Sequence, residues 1–196
     1  MSSKTDIPIL EKGTKVNEKY TIKKHIGHGG YGEIYTVLNN EDNTLYAMKT
    51  EMKSQKKQGL EGEIAFFQNL QDSPYCPKIF TSGETSQYRY LIMELLGPSL
   101  SQVCHVLPNE RLSKHTVTYI SKAMLKAIED CHKHGIIHRD IKPANFLIRP
   151  DQDYPIALID YGLSRQYFDV DGRPFPPRDH PGFIGTCCFA SLNAQR

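Results

Sequence analysis

The chain is predicted to be an α+β protein in two parts, a five-stranded antiparallel sheet with one helix followed by a mainly helical half. Three observations predict it. Between Tyr20 and Glu94, short alternating and β-branched runs are separated by turn segments. One stretch among them carries Leu60, Ile64, Phe67 and Leu70 at the spacing of a single helix face. Beyond Leu96 helical periodicity takes over, and the remaining strands are short and carry polar loops between them.

Within the first part, Tyr20 to Ile26 and Glu33 to Leu38 flank a glycine cluster, and Leu45 to Glu51 follows the turn segment NNEDN. After the helix come Lys78 to Thr81 and Tyr88 to Glu94, separated by GETSQ. Residues 1–19 stand outside this pattern as an N-terminal extension. In the second part Gly97 and Pro98 break the strand, and Ser99 is placed to cap a short helix from Leu100. A longer helix is predicted from Ser113 to His134, with Val117, Ile120, Met124, Ile128 and Cys131 on one face and Gly135 as its stop. Ile136-Ile137, Phe146 to Ile148 and Ile156 to Ile159 then read as short strands. Tyr167 to Gly182, rich in proline, glycine and charge, reads as a long loop of the functional or disordered kind.

Bulk properties narrow the class. With 196 residues there is material for one good core or two small lobes, and 39% hydrophobic with 23% charged residues is an ordinary globular balance. A net charge of +2 gives no bulk reason to expect nucleic acid or an anionic membrane as partner. No apolar run is long enough to span a bilayer, and the opening MSSKTDIPILEKGTK lacks the apolar segment of a secretory signal. The five cysteines, Cys76, Cys104, Cys131, Cys187 and Cys188, are odd in number and form no CxxC pair, which speaks against a disulfide framework or a zinc site. The adjacent Cys187 and Cys188 read either as a redox pair or as two small side chains in a loop. No repeat or low-complexity tract interrupts the chain. A cytoplasmic monomer, shared with the nucleus or not, is the expectation.

Gly27, Gly29 and Gly32 spell G-x-G-x-x-G in IGHGGYGEI. Missing side chains let backbone amides approach phosphate oxygens. A plain turn or a dinucleotide site would share this spelling, but the latter needs a helix directly after the glycines. EIYTVL alternates and is β-branched, so a strand follows and the glycines read as a flap over a nucleotide. Lys49 in YAMK lies seventeen residues beyond Gly32 on the third strand. Glu63 shares its helix face with Leu60 and Phe67, so it points inward and needs a cation, for which Lys49 is the nearest candidate. Glu61 sits at the edge of that face and reads as exposed. In HRDIKPANFL, Asp140 is suited to accept the proton of an incoming hydroxyl, Lys142 to screen a transferring phosphoryl group and Asn145 to offer an amide oxygen to magnesium. Asp160 ends the apolar run of IALIDYG and supplies a carboxylate for a second metal position. A solvated turn would explain the HRD cluster alone, but not IALIDYG at the right distance after it.

These four elements, in this order, resemble eukaryotic protein kinases, and more closely the casein kinase 1 group. The resemblance runs from about Tyr20 to the last residue. It includes MELLGPSL and the SLN of Ser191 to Asn193, while GRPFPPRDHPGFIGT is similar to the tau-tubulin kinase branch. It implies a bilobal fold, with residues 20–94 as the first lobe and 95–196 as an incomplete second lobe. It also implies transfer of the γ-phosphoryl of Mg-ATP to serine or threonine hydroxyls of proteins, a specificity that Lys142 suits. Ile26, Ile34, Ala47, Met93 and Leu147 would line the adenine slot, and Glu94 to Leu96 would form the hinge. Lys49 would grip phosphates, Thr186 would contact substrate, and Phe67, His138 and Tyr161 would stack. Three departures are visible. Tyr161 replaces the usual phenylalanine of DFG and adds a hydroxyl. Cys188 stands where relatives carry an arginine that binds a substrate phosphate. Because the chain ends at Arg196, the second lobe is expected to lack its rear helices and to leave the helix from Ser113 to His134 partly uncovered. An ATP-binding pseudokinase or regulatory fragment that docks a partner is the alternative.

Overall fold

The structure, a computed structural model, describes residues 10–30, 32–55, 58–150, 153–169, 171–176 and 182–195. The chain divides into two compact units, Met1–Ile64 with Lys78–Leu95 and Ala65–Pro77 with Leu96–Arg196.

The first unit is built on β1 (Lys15–Val16), β2 (Tyr20–Gly29), β3 (Gly32–Asn39) and β4 (Leu45–Met52). The helix α1 (Leu60–Asn69) follows, its residues from Ala65 on counted with the second unit, and then β5 (Ile79–Glu84) and β6 (Tyr88–Met93). The strands form one sheet in the order β1-β2-β3-β4-β6-β5, with every neighbour antiparallel. All five expected strands are present, and β1 adds a sixth at the edge through Lys15↔Thr21 and Val16↔Tyr20. Two residues are too few to show a period, so this strand has no signature of its own. β2 runs to Gly29 and β3 starts at Gly32, so the glycines lie inside the hairpin, whereas Glu94 lies just beyond β6.

Alternation along the strands gives the sheet two different faces. On one, Val16, Tyr20, Ile22, Tyr35, Val37, Met48, Tyr90 and Ile92 form a closed apolar cluster. The segment before β2 packs there: the Leu10 amide donates to the Tyr35 hydroxyl at 3.0 Å, and the Asn17 side chain donates to the Tyr90 hydroxyl. On the other face the register aligns Ile34, Lys49 and Leu91 in one row and Thr36, Ala47 and Met93 in the next.

The second unit carries α2 (Leu100–Val106), α3 (Lys114–Lys133), β7 (Ile136–Ile137), β8 (Phe146–Ile148), β9 (Ile156–Leu158), β10 (Arg165–Gln166) and α4 (Leu192–Gln195). Ser99 caps α2 reciprocally: its hydroxyl accepts from the Gln102 amide at 3.2 Å, and Gln102 accepts from the Ser99 amide at 2.8 Å. Ser113 and His134 turn out to be the caps of α3, so the helix is one residue shorter at each end than predicted. Gly135, at φ +73°, takes the left-handed turn that ends it. β7 pairs with β10 and β8 with β9, both antiparallel, and β9 closes at Leu158. Phe67, Leu70, Cys131, Phe146, Leu158 and Tyr161 are buried here. The apolar face of α3 is buried only toward its C-terminal end, at Ala127 and Cys131, while Val117 is 46% and Leu125 66% exposed. Part of the tau-tubulin-kinase-like stretch, residues 177–181, lies outside the described residues, as do residues 1–9 of the extension.

Candidate active site

In the first unit Lys49 is 3% and Glu63 2% exposed, and the lysine ammonium donates to the glutamate Oε2 at 2.5 Å. Two charges this far from water are tolerable only as a pair. Glu61 is exposed. The three glycines of the hairpin differ in what they permit. A Cβ on Gly32 would fall 1.6 Å from the Thr50 carbonyl oxygen, so only glycine lets β3 and β4 close there. A Cβ on Gly29 would lie 3.1 Å from Lys49 Cε and 3.3 Å from its Nζ, which brings the hairpin backbone close to the ammonium. A Cβ on Gly27 would meet none of the described residues within 4 Å. Ala47 and Met93 are buried on the face that carries Lys49, Ile34 is half-buried there, and Ile26 is exposed beside a β2 irregularity. The Glu94 amide donates to the Lys78 carbonyl at 2.8 Å, so its N–H is turned into the sheet.

In the second unit the loop after β7 and the turn after β9 each hold a non-glycine residue in left-handed backbone, Arg139 and Asp160, both at φ 67°. Such strain costs about 1–3 kcal/mol per residue and persists only where surroundings enforce it. Arg139 is tied by its Nε, which donates to the Leu163 carbonyl at 2.6 Å. His138 donates from Nε2 to the Ile159 carbonyl at 2.9 Å and accepts the Asp140 amide on Nδ1 at 3.3 Å. Those partners define a neutral imidazole, in accord with burial pushing its pKa down. Tyr161 stacks edge-on between Phe67, at 5.2 Å, and His138, at 5.1 Å, and burial drives its phenol pKa well up.

Asp140 is 6% exposed and closely held. Thr186 Oγ1 donates to its Oδ1 at 2.7 Å, Lys142 Nζ lies 2.6 Å from Oδ2, and Asn145 Nδ2 reaches Oδ2 at 3.2 Å. Lys142 also donates to Thr186 at 3.1 Å, closing a triangle. Burial acts to raise the Asp140 pKa, but the hydrogen bonds from Lys142, Thr186 and Asn145 outweigh it and hold the carboxyl below its usual range. It is therefore ionised at neutral pH. Asn145 spends its amide nitrogen on Asp140, including the carbonyl at 2.8 Å, so Oδ1 is the atom it offers to a cation. Among the described residues no three His, Cys, Asp or Glu side chains form a metal cage. Magnesium needs none, since it takes one or two protein oxygens together with phosphates and water, and the Asn145 amide and Asp160 carboxylate are donors of that kind. Leu147 on β8 and Leu96 are half-buried. An open cavity of about 450 Å³ beside Asp140 is lined by Ile141, Thr186 and Phe189 and by two cations, Arg139 and Arg165. Cys187 and Cys188 are exposed free thiols. Thr186 was singled out only by resemblance, because a bond to a residue 46 positions earlier leaves no periodic trace.

Comparison with known proteins extends the description. The sequence pattern of the protein kinase domain matches residues 20–173. A Dictyostelium discoideum protein, provisionally named a serine/threonine-protein kinase, is 35% identical over 185 residues, 93% of this chain and 37% of its own length. A Caenorhabditis elegans protein, provisionally named a casein kinase I, is 33% identical over 190 residues, 93% of this chain and 55% of its own. The chain thus spans between about a third and about half of these relatives.

Proposed function

Because the chain belongs to the protein kinase family, we propose that it transfers the γ-phosphoryl group of Mg-ATP to serine or threonine hydroxyls of proteins. One observation carries this above all: the Asp140 carboxyl is held in place by Lys142, Thr186 and Asn145 beside an open cavity. A carboxylate so placed accepts the proton of an entering hydroxyl, and Thr186, bonded to both charged partners, positions that hydroxyl. Lys142 screens charge on the group in transfer, and Lys49, kept straight by Glu63, grips phosphate oxygens. Asn145 and Asp160 hold magnesium, which when bound neutralises phosphate charge. Backbone amides of the β2–β3 hairpin approach phosphate at Gly27, Gly29 and Gly32. In the first unit Ile26, Ile34, Ala47 and Met93 give the purine an apolar surface and the Glu94 backbone a polar partner, and the resemblance assigns the same two roles to Leu147 and Leu96 of the second unit.

Within the family we place the chain in the casein kinase 1 group, near the tau-tubulin kinase branch, on MELLGPSL, SLN and the stretch from Gly172 to Thr186. Cysteine makes no charge-assisted contact with phosphate, so with Cys188 at the anion position no preference for already phosphorylated substrates is expected. A second reading, ATP binding without transfer, is favoured by α3, where Val117 and Leu125 offer a partner exposed apolar surface.

Calorimetry of Mg-ATP binding and radiolabel transfer to a serine/threonine peptide library separate these readings. Asp140→Asn is expected to bind Mg-ATP within about threefold of the parent while transfer falls by about 10²–10⁴, the range for a lost general base. Binding without transfer in the parent protein would favour the second reading, and absence of Mg-ATP binding would overturn both.

A further inference from the structure

We propose that Glu51 is a positioning residue which seats the first turn of α1 and thereby sets Glu63 against Lys49, a role that rests on the reading of that pair given above. Glu51 lies two residues beyond Lys49 on β4, on the same face of the sheet, and is 1% exposed. Its Oε1 accepts from the Gly59 amide at 2.6 Å and the Leu60 amide at 3.0 Å. The opening amides of a helix have no acceptor within it and are usually capped by the side chain just before the first turn. Here that residue is Gly59, which has none. A distant strand supplies the cap instead, and its negative charge suits the positive end of the helix.

The consequence is a two-point attachment. β4 carries Lys49 and Glu51, and α1 answers with Glu63 to the first and its capped N-terminus to the second. The Glu63 amide donates to the Gly59 carbonyl at 3.0 Å, so the glutamate stands one helical turn from the anchored residues. The chain leading into the helix is braced as well: Gln58 donates to the Lys53 carbonyl at 3.1 Å and accepts from Arg89 at 2.6 Å. Among the described residues Glu51 Oε2 is buried without a hydrogen-bond partner. A buried carboxylate with one unused oxygen is a costly way to cap a helix, since Ser or Asn at position 59 would do so in place. What such a local residue would not do is tie the helix to the strand that bears Lys49.

The test uses the full chain with Glu51→Ala, Glu51→Gln, Glu63→Ala and the double variant Glu51→Ala/Glu63→Ala. Three quantities are read: amide exchange over 59–64, the rate at which Lys49 is acylated by an amine reagent without nucleotide, and the Kd for Mg-ATP. Glu51→Ala should speed exchange over 59–64 by about tenfold, the scale of a lost cap, while β2 and β3 are unchanged. It should also raise Lys49 acylation and the Kd. Glu51→Gln, which keeps the accepting oxygen, should stay within about threefold of the parent on all three. In the Glu63→Ala background, removing Glu51 should change neither the acylation rate nor the Kd further, because its effect passes through Glu63. Additive losses in the double variant, or unchanged exchange and acylation in Glu51→Ala, would overturn the assignment. If the parent bound no Mg-ATP, the functional reading would fall, and exchange and acylation would still decide the role of Glu51.

Discussion

Replacing Lys49 by methionine keeps an unbranched side chain, one atom shorter, and removes its charge. The pair it breaks is dry: the ammonium lies 2.5 Å from Glu63 Oε2, and the side chains are 4% and 1% exposed. Breaking a buried pair by removing one partner costs about 3–5 kcal/mol, because the remaining charge has neither water nor counter-ion. Against a domain stability of about 5–15 kcal/mol, that loss is large. Removing both charges is different, since a buried pair replaced by apolar side chains of similar volume is often neutral in stability. Lys49→Met/Glu63→Leu should therefore regain most of what Lys49→Met loses, while both proteins lose Mg-ATP affinity and transfer. Urea unfolding followed by circular dichroism, with slopes compared to confirm the same transition, measures the first effect, and nucleotide calorimetry the second. A double variant as unstable as the single would mean the charges are not coupled in a dry site. Full affinity for Mg-ATP in folded Lys49→Met would remove the lysine from phosphate recognition.

The remaining predictions concern backbone and pH. Gly32→Ala should destabilise by at least about 1–3 kcal/mol, the usual cost of overpacking, because its Cβ would fall 1.6 Å from the Thr50 oxygen. Gly27→Ala, whose Cβ would meet none of the described residues within 4 Å, should melt within a degree or two of the parent yet bind Mg-ATP more weakly, and equal melting losses at the two positions would refute the distinction. His134 has a raised pKa, chiefly from its bond to the Asp130 carbonyl and also from Asp72, against the opposing effect of burial. A raised folded-state pKa stabilises fully below the unfolded value of 6.5 and fades as pH climbs through the folded value. The stability gap between the parent and His134→Gln should hence be widest in mild acid and shrink toward alkaline pH, and a gap that grows with pH would contradict it.

What could be read from residues alone followed from conflict and from period. Glu63 was legible because it puts a charge on an otherwise apolar helix face, a conflict with few resolutions, and Lys49 because it is the nearest cation that resolves it. The strands of the first unit were legible because short alternating or β-branched runs there are separated by turn segments. β1 was not, since two residues have no period. Glu51 was passed over because a glutamate on a strand ordinarily points to water, and the amides it caps belong to a helix whose own sequence lacks a cap. The ties of Thr186 to Asp140 and Lys142 join segments more than forty residues apart, and only tertiary structure discloses them. The pattern on α3 told which residues are apolar, and the expected partial uncovering of that helix is seen at Val117 and Leu125.

The segment before β2 bears on where this protein could be trimmed. The kinase pattern begins at residue 20, which is where a worker cutting to domain boundaries would start. A chain started there would lose Leu10, Val16 and Asn17, and with them the cover over Tyr35 and Tyr90. A band of tyrosine rings and aliphatic side chains would then face water along the edge of β2, whose backbone groups would no longer be paired by β1. An edge strand laid bare beside an aromatic surface invites sheet-to-sheet association between copies, so a shortened chain would be prone to precipitate for reasons unrelated to its chemistry.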